Sequence, residues 1–134
     1  MNEWFADTSY YVALLNRSDA HHARATALTG RLRGHFVTTE WVLLELANTF
    51  CAPPDRPRVV SLIDGLRTKR NVATFPSTPE LFVRGFSLYR ERIDKRWSLT
   101  DCISFVLMDE LRLREALSSD HHFEQAGFAA LLRR

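Results

Sequence analysis

The chain has 134 residues, 46% hydrophobic and 25% charged, with a formal net charge of +2 at pH 7. That is one domain's worth, long enough to bury about two-thirds of its unfolded surface without metal or disulfide staples, and its balance excludes a disordered or fibrous chain. No apolar run approaches the ~18 residues that a membrane span requires.

Met1-Asn2-Glu3-Trp4 shows neither a basic n-region nor an apolar h-region, so a cytoplasmic protein without a secretory leader is expected. Cys51 and Cys102 stand alone in apolar segments and form no CxxC pair. They are expected to be reduced, buried thiols.

Short apolar runs alternate with helical patterns along the whole chain. Trp4-Phe5-Ala6 is a strand-like run ending in Asp7, followed by helical patterns over Tyr10 to Leu15 and His21 to Leu32. Phe36-Val37-Thr38 is the next run, followed by an apolar helix from Trp41 to Cys51. Pro57 suits the first turn of another helix, which carries Val59, Val60, Leu62, Ile63 and Leu66 at helical spacing. Val72 to Phe75 is β-like. Leu81 to Ile93 is helical, with Leu81, Phe82, Phe86 and Leu88/Tyr89 as one stripe. Leu99 to Leu113 is a long, nearly all-apolar helix, Ala116-Leu117-Ser118 a fourth run close to Asp120, and Phe128 to Leu132 a last strand. Strands alternating with helices predict an α/β fold with a parallel sheet covered on both faces, residues 1–134 forming a single domain. Ligands of such sheets bind outside the carboxyl ends of the strands, so acids at strand ends are the first candidates for a site.

The charge is unevenly spread. Residues 56–96 hold ten basic and four acidic groups, a local charge of +6, and the rest of the chain has an acidic surplus. Sixteen of the 18 cations are Arg, the side chain suited to bidentate phosphate contact. A solvated helix face accounts for the run as well. The five histidines lack zinc spacing with the cysteines and read as surface or capping residues.

Four carboxylates stand out. Asp7 and Asp120 follow apolar runs, where helix N-capping accounts for each taken alone. Glu45 is the only charge between Trp41 and Cys51, and its i±3 and i±4 neighbours Trp41, Val42, Asn48 and Thr49 offer no cation. A cross-helix Arg is the ordinary partner for such a group. Asp101 fits the N3 position of a capping box opened by Ser98. Were all four to converge, each like-charge pair at ~6 Å would cost roughly 3 kcal/mol at an effective dielectric of about 20. The six pairs together would cost on the order of 10–15 kcal/mol, comparable to a whole domain's stability. Such a cluster requires divalent cations or partial protonation, and an all-oxygen donor set suits Mg²⁺ or Mn²⁺. Carboxylate-held hard cations support phosphodiester hydrolysis.

At these residues the sequence resembles the PIN-domain family, specifically VapC-type toxin ribonucleases. The resemblance covers nearly the whole chain. It rests on Phe5-Ala6-Asp7-Thr8-Ser9, Leu15-Asn16 with Asp19 and His21-His22, Thr38 to Asn48, Asp94 to Phe105, and Ala116 to Phe128. It implies a three-layer α/β/α sandwich with a mainly parallel, Rossmann-like central sheet. It implies that Asp7, Glu45, Asp101 and Asp120 form an acidic Mg²⁺ or Mn²⁺ site, with Ser98 and Thr100 close by and Thr8 or Ser118 hydrogen-bonding the carboxylates. Ser118 stands where the family often has Thr, and the hydroxyl is retained. The implied activity is metal-dependent endoribonuclease cleavage that leaves a 5′ phosphate. The implied partners are RNA, a small antitoxin protein and a second copy of the chain. The 56–96 region would then follow the RNA backbone, and Trp97, if exposed, would stack a base, although packing suits it better.

Two rival readings stay open. A phosphorylatable receiver domain fits the length and alternation, but Asp7 is followed by Thr8-Ser9 and the only lysines are Lys69 and Lys95. A non-cleaving PIN-like module would bind RNA or a partner protein without hydrolysis.

Overall fold

The computed structural model describes residues 2–133; Met1 and Arg134, the ends of the expected domain, lie outside them. The strands are β1 (Glu3–Ala6), β2 (His35–Thr39), β3 (Val72–Phe75), β4 (Glu115–Leu117) and β5 (Ala129–Ala130). The α-helices are α1 (Thr8–Leu15), α2 (His22–Arg31), α3 (Glu40–Thr49), α4 (Arg56–Thr68), α5 (Pro79–Glu91), α6 (Leu99–Leu111) and α7 (His121–Gln125). All strand pairs are parallel, in the order β3-β2-β1-β4-β5. This is the expected α/β/α architecture. The chain runs outward from β1 through β2 to β3, then returns to the other side of β1 for β4 and β5. The carboxyl ends of β1 and β4 therefore flank the point where strand order reverses, where such sheets open a crevice.

Local chemistry sets the element starts. Asp7, Thr39, Thr78, Ser98 and Asp120 each cap a helix with a side-chain oxygen that accepts a backbone N–H of the first turn. Ser98 and Asp101 form the complete capping box expected from sequence. Pro57 lies in the first turn of α4, where its missing N–H costs nothing. The core joins Phe5, Val37, Leu46, Ile103, Leu107 and Phe123 with the buried faces of α1 and α6. Trp97 is buried edge-on against Phe105, with its indole N–H donated to Gln125, so it is unavailable as a stacking platform.

Three sequence expectations change. The last strand shrinks to Ala129–Ala130, because the chain turns at once into a 3₁₀ segment that buries Leu131 and Leu132. Cys51 is exposed rather than buried, since α3 has already ended at Thr49; Cys102 is buried as expected. The single apolar stripe on α5 splits in two. Leu81, Gly85 and Leu88 face the core, whereas Phe82, Phe86 and Tyr89 form a stacked, exposed row.

The split follows from one close approach. A Cβ on Gly85 would lie 2.3 Å from Ile103 Cγ1 and 2.9 Å from Ile103 Cα, so α5 can press this face onto α6 only without a side chain. Gly85→Ala is therefore expected to destabilise the fold by about 1–3 kcal/mol through overpacking, outweighing the ~1 kcal/mol that Ala gains in helix propensity. Urea melts check this, and an unchanged or raised midpoint would refute it.

Candidate functional site

Asp7, Thr8, Ser9, Val12, Asp19, Glu45, Asp101 and Asp120 line one cleft of about 260 Å³ at the carboxyl ends of β1 and β4. The four acids singled out in the sequence thus share one site, brought there by four elements. Asp7 caps α1 directly after β1. Glu45 lies on α3, which starts where β2 ends. Asp101 occupies the first turn of α6, and Asp120 caps α7 just beyond β4. The cross-helix Arg is absent for Glu45: among the described residues, no Lys or Arg pairs with any of the four carboxylates.

Asp7 is only 5% exposed. Its Oδ2 accepts from Ser9 Oγ and Ser118 Oγ, each at 2.8 Å, and from the Ser9 N–H at 3.4 Å. Burial, and then the charge of Asp101, push its pKa up to about 7 against the opposing pull of these hydrogen bonds. Asp101 is raised as well, first by burial and then by Asp120, although the Ser98 N–H and His122 hold it down. The Asp120 N–H donates to Ser118 Oγ, so one hydroxyl links two of the carboxylate-bearing segments. Lining one cleft does not put the acids in mutual contact. The only trio of His, Cys, Asp or Glu ligand atoms within 4.8 Å of one another, among the described residues, is Asp120, His121 and His122.

Of the expected supporting residues, Ser118 bonds Asp7 and Ser98 bonds Asp101. Thr8 lines the cleft, but its buried hydroxyl meets no partner and no carboxylate. Thr100 stays off the cleft and offers its carbonyl to Ser104.

Sequence reasoning missed three participants. Ser9 anchors Asp7. Asp19 joins the cleft from the α1–α2 loop, its Oδ1 held by the His21 N–H at 2.8 Å. His122, read as a surface or capping residue, directs Nδ1 at Asp101 and Asp120. Its signal was its place as the second residue of the helix, the one whose backbone N–H a capping Asp accepts, which holds the residue against the Asp120 carboxylate.

The 56–96 region does not line the cleft. Arg58, Arg67, Arg84, Arg92 and Lys95 pair with nearby acids, as the solvated-face alternative expects.

A family model described as "PIN domain" matches residues 4–129. The 23S rRNA-specific endonuclease VapC20 of Mycobacterium tuberculosis, from two strains, is 28% identical over 127 residues, covering 92% of this chain and 94% of the relative. The crystal structure of Mycobacterium tuberculosis VapC20, described as a sarcin-ricin loop cleaving toxin, aligns with a TM-score of 0.86 at 24% identity. That alignment covers 96% of this chain and 97% of the other.

Proposed function

The chain belongs to the PIN-domain family, and from that premise we propose that it is a metal-dependent endoribonuclease acting as the toxin of a toxin–antitoxin pair. The observation that carries the reading is the shared cleft of Asp7, Glu45, Asp101 and Asp120, with no Lys or Arg supplied by the described residues to neutralise it. The donor set fits a hard divalent cation: carboxylate oxygens around an open space, plus the unsatisfied buried hydroxyl of Thr8. When bound, Mg²⁺ or Mn²⁺ supplies Lewis-acid polarisation of the scissile phosphate and charge stabilisation of the departing oxygen.

The chain's own residues do the rest. Asp7, Glu45, Asp101 and Asp120 hold the cation, and Ser9 and Ser118 fix the orientation of Asp7. Ser98 fixes Asp101 through its N–H. Thr8 Oγ1 is the donor left over for a phosphate oxygen or for water. The lysines that a receiver domain would bring to its acids are elsewhere, since neither Lys69 nor Lys95 lines the cleft.

The substrate class is ribosomal RNA, by analogy with the 23S rRNA named as the target of VapC20 and the sarcin-ricin loop named for its crystal structure. A ribosomal substrate is met in the cytoplasm, which supports a cytoplasmic location for the protein. The exposed row of Phe82, Phe86 and Tyr89, with Ile93 beyond it, supports pairing of two copies. A small antitoxin completes the assembly.

The test is incubation of the protein with a synthetic sarcin–ricin stem-loop in Mg²⁺, in Mn²⁺ and in chelator. Discrete cleavage in metal that chelator abolishes is the expected result. Undiminished cleavage in chelator refutes metal dependence, and retention of intact RNA in metal returns the non-cleaving module.

A further inference from the structure

The three aspartates of the set share a pattern. Asp7 and Asp101 each direct every protein contact to Oδ2, and Asp120 directs its contacts to Oδ1. Among the described residues, nothing hydrogen-bonds their second oxygens. A carboxylate held in this way has a fixed torsion and one oxygen to present, which is what a monodentate ligand to a small octahedral cation requires.

Two of these anchored oxygens meet at one atom. His122 Nδ1 lies 3.2 Å from Asp101 Oδ2 and 3.2 Å from Asp120 Oδ1. The ring is confined, its side chain 17% exposed against 57% for the adjacent His121, whose Nδ1 stands 3.7 Å from the same Asp120 oxygen. His122 does not line the cleft, so it contacts the carboxylates from behind. Ionised carboxylates only accept, so a ring nitrogen shared between two of them makes favourable contacts as a donor. An Nδ1 whose N–H is donated to Asp101 has no lone pair to offer a metal.

We propose that His122 is a positioning residue of the metal site: its Nδ1–H, hydrogen-bonded to Asp101 on α6 while the ring lies against Asp120 at the start of α7, sets the spacing and direction of both carboxylates. The inference rests on the metal-site reading above and adds to it the residue that determines how tightly the site holds its ion. Aspartates from different elements have no covalent reason to keep one spacing, and His122 supplies it, its ring bound to Asp101 and its backbone N–H to Asp120. Removal of comparable outer partners of metal ligands lowers affinity on the order of 10–100-fold.

The experiment measures Mn²⁺ affinity by electron paramagnetic resonance of the free ion, with a melting curve for each protein. The proteins are wild type, His122→Ala, His122→Asn, His122→Gln and His121→Ala. His122→Ala should weaken binding by about tenfold or more. His122→Asn keeps an N–H close to the position of Nδ1 and should restore most of the affinity, whereas Gln, with its amide one bond farther out, should not. His121→Ala should bind as wild type does. Activity titrated against Mn²⁺ should show the same order in the metal concentration required, with kcat at saturating metal changed far less.

A folded His122→Ala with wild-type affinity overturns the proposal. If that variant fails to fold, equal affinities for the Asn and Gln variants overturn it instead. A directly coordinated nitrogen in the spin-echo spectrum of the Mn²⁺ complex that is present in His121→Ala and lost in His122→Asn overturns it too, because His122 would then be a ligand. Wild type that takes up no Mn²⁺ sinks the metal-site reading itself, and so is distinguishable from these outcomes.

Discussion

Asp7→Asn should lose RNA cleavage by about 10³-fold in kcat or more, and its metal-free form should melt at a higher temperature than wild type at pH 8. Both effects arise from one charge. Asp7 is nearly enclosed, and its pKa stands at about 7 rather than 3.8 chiefly because burial disfavours the carboxylate. Asparagine keeps the shape and the capping role, since Asn and Asp are equally good N-caps. Its carbonyl still accepts from Ser9 and Ser118. What disappears is the negative charge that a divalent cation requires, an interaction worth several kcal/mol of transition-state stabilisation and hence about three orders of magnitude in rate. What also disappears is the charge that costs the empty site stability. A shift from 3.8 to about 7 corresponds to roughly 4 kcal/mol of disfavour for the ionised form. Even partial relief should raise the melting temperature by several degrees. Single-turnover cleavage and calorimetry in chelator check the two halves. Cleavage at the wild-type rate would remove Asp7 from the active site, and a lowered melting temperature at pH 8 would refute burial as the dominant cause of its shift.

The fold was legible wherever local rules and burial agree. β1, β2 and β4 are short apolar runs, each followed by a residue that can cap a helix, and α4 and α6 carry their start signals in Pro57 and in the Ser98–Asp101 box. Glu45 could be suspected because one charge on an apolar helix without an i±4 partner is costly unless tertiary structure answers it. Asp7, Asp101 and Asp120 were harder, because each also performs an ordinary capping task that accounts for it locally. Only topology shows that the caps of α1 and α7 and the N3 acid of α6 face one cleft. The sequence concealed what depends on contacts between elements. Phe82, Phe86 and Tyr89 look like a core stripe until Gly85 meets Ile103 and turns α5 the other way. Asp19 lies in a loop with no periodicity to place it, and His122 gains its role only because α6 brings Asp101 against α7.

Metal-free protein should lose stability as pH rises from about 4 to about 7, the reverse of ordinary acid denaturation. In the unfolded chain Asp7 releases its proton near 3.8, whereas in the folded chain it holds that proton until about 7. Between these values the folded state binds more protons, so its advantage is complete below the lower pKa and is lost as pH climbs through the upper one. The raised pKa of Asp101 acts in the same direction. Glu40 and Asp94, whose pKa values are lowered by partners outside the cleft, lose their stabilisation only in more acidic solution and leave the pH 5–8 window to the site. The total for Asp7 is on the order of 4 kcal/mol, enough to move the melting temperature by roughly 10 °C in a chain of this size. A divalent cation binds the deprotonated form, so it should restore what rising pH removes: about 2.7 kcal/mol at a free concentration 100 times its Kd. Melting curves from pH 5 to 8 should therefore decline in chelator and flatten in saturating Mg²⁺ or Mn²⁺, and Asp7→Asn in chelator should follow the flatter curve. A wild-type curve in chelator that stays level, or rises, over that window would mean that the cleft carboxylates are not held against their own charge. The case for a cation as their natural counterpart would fall with it.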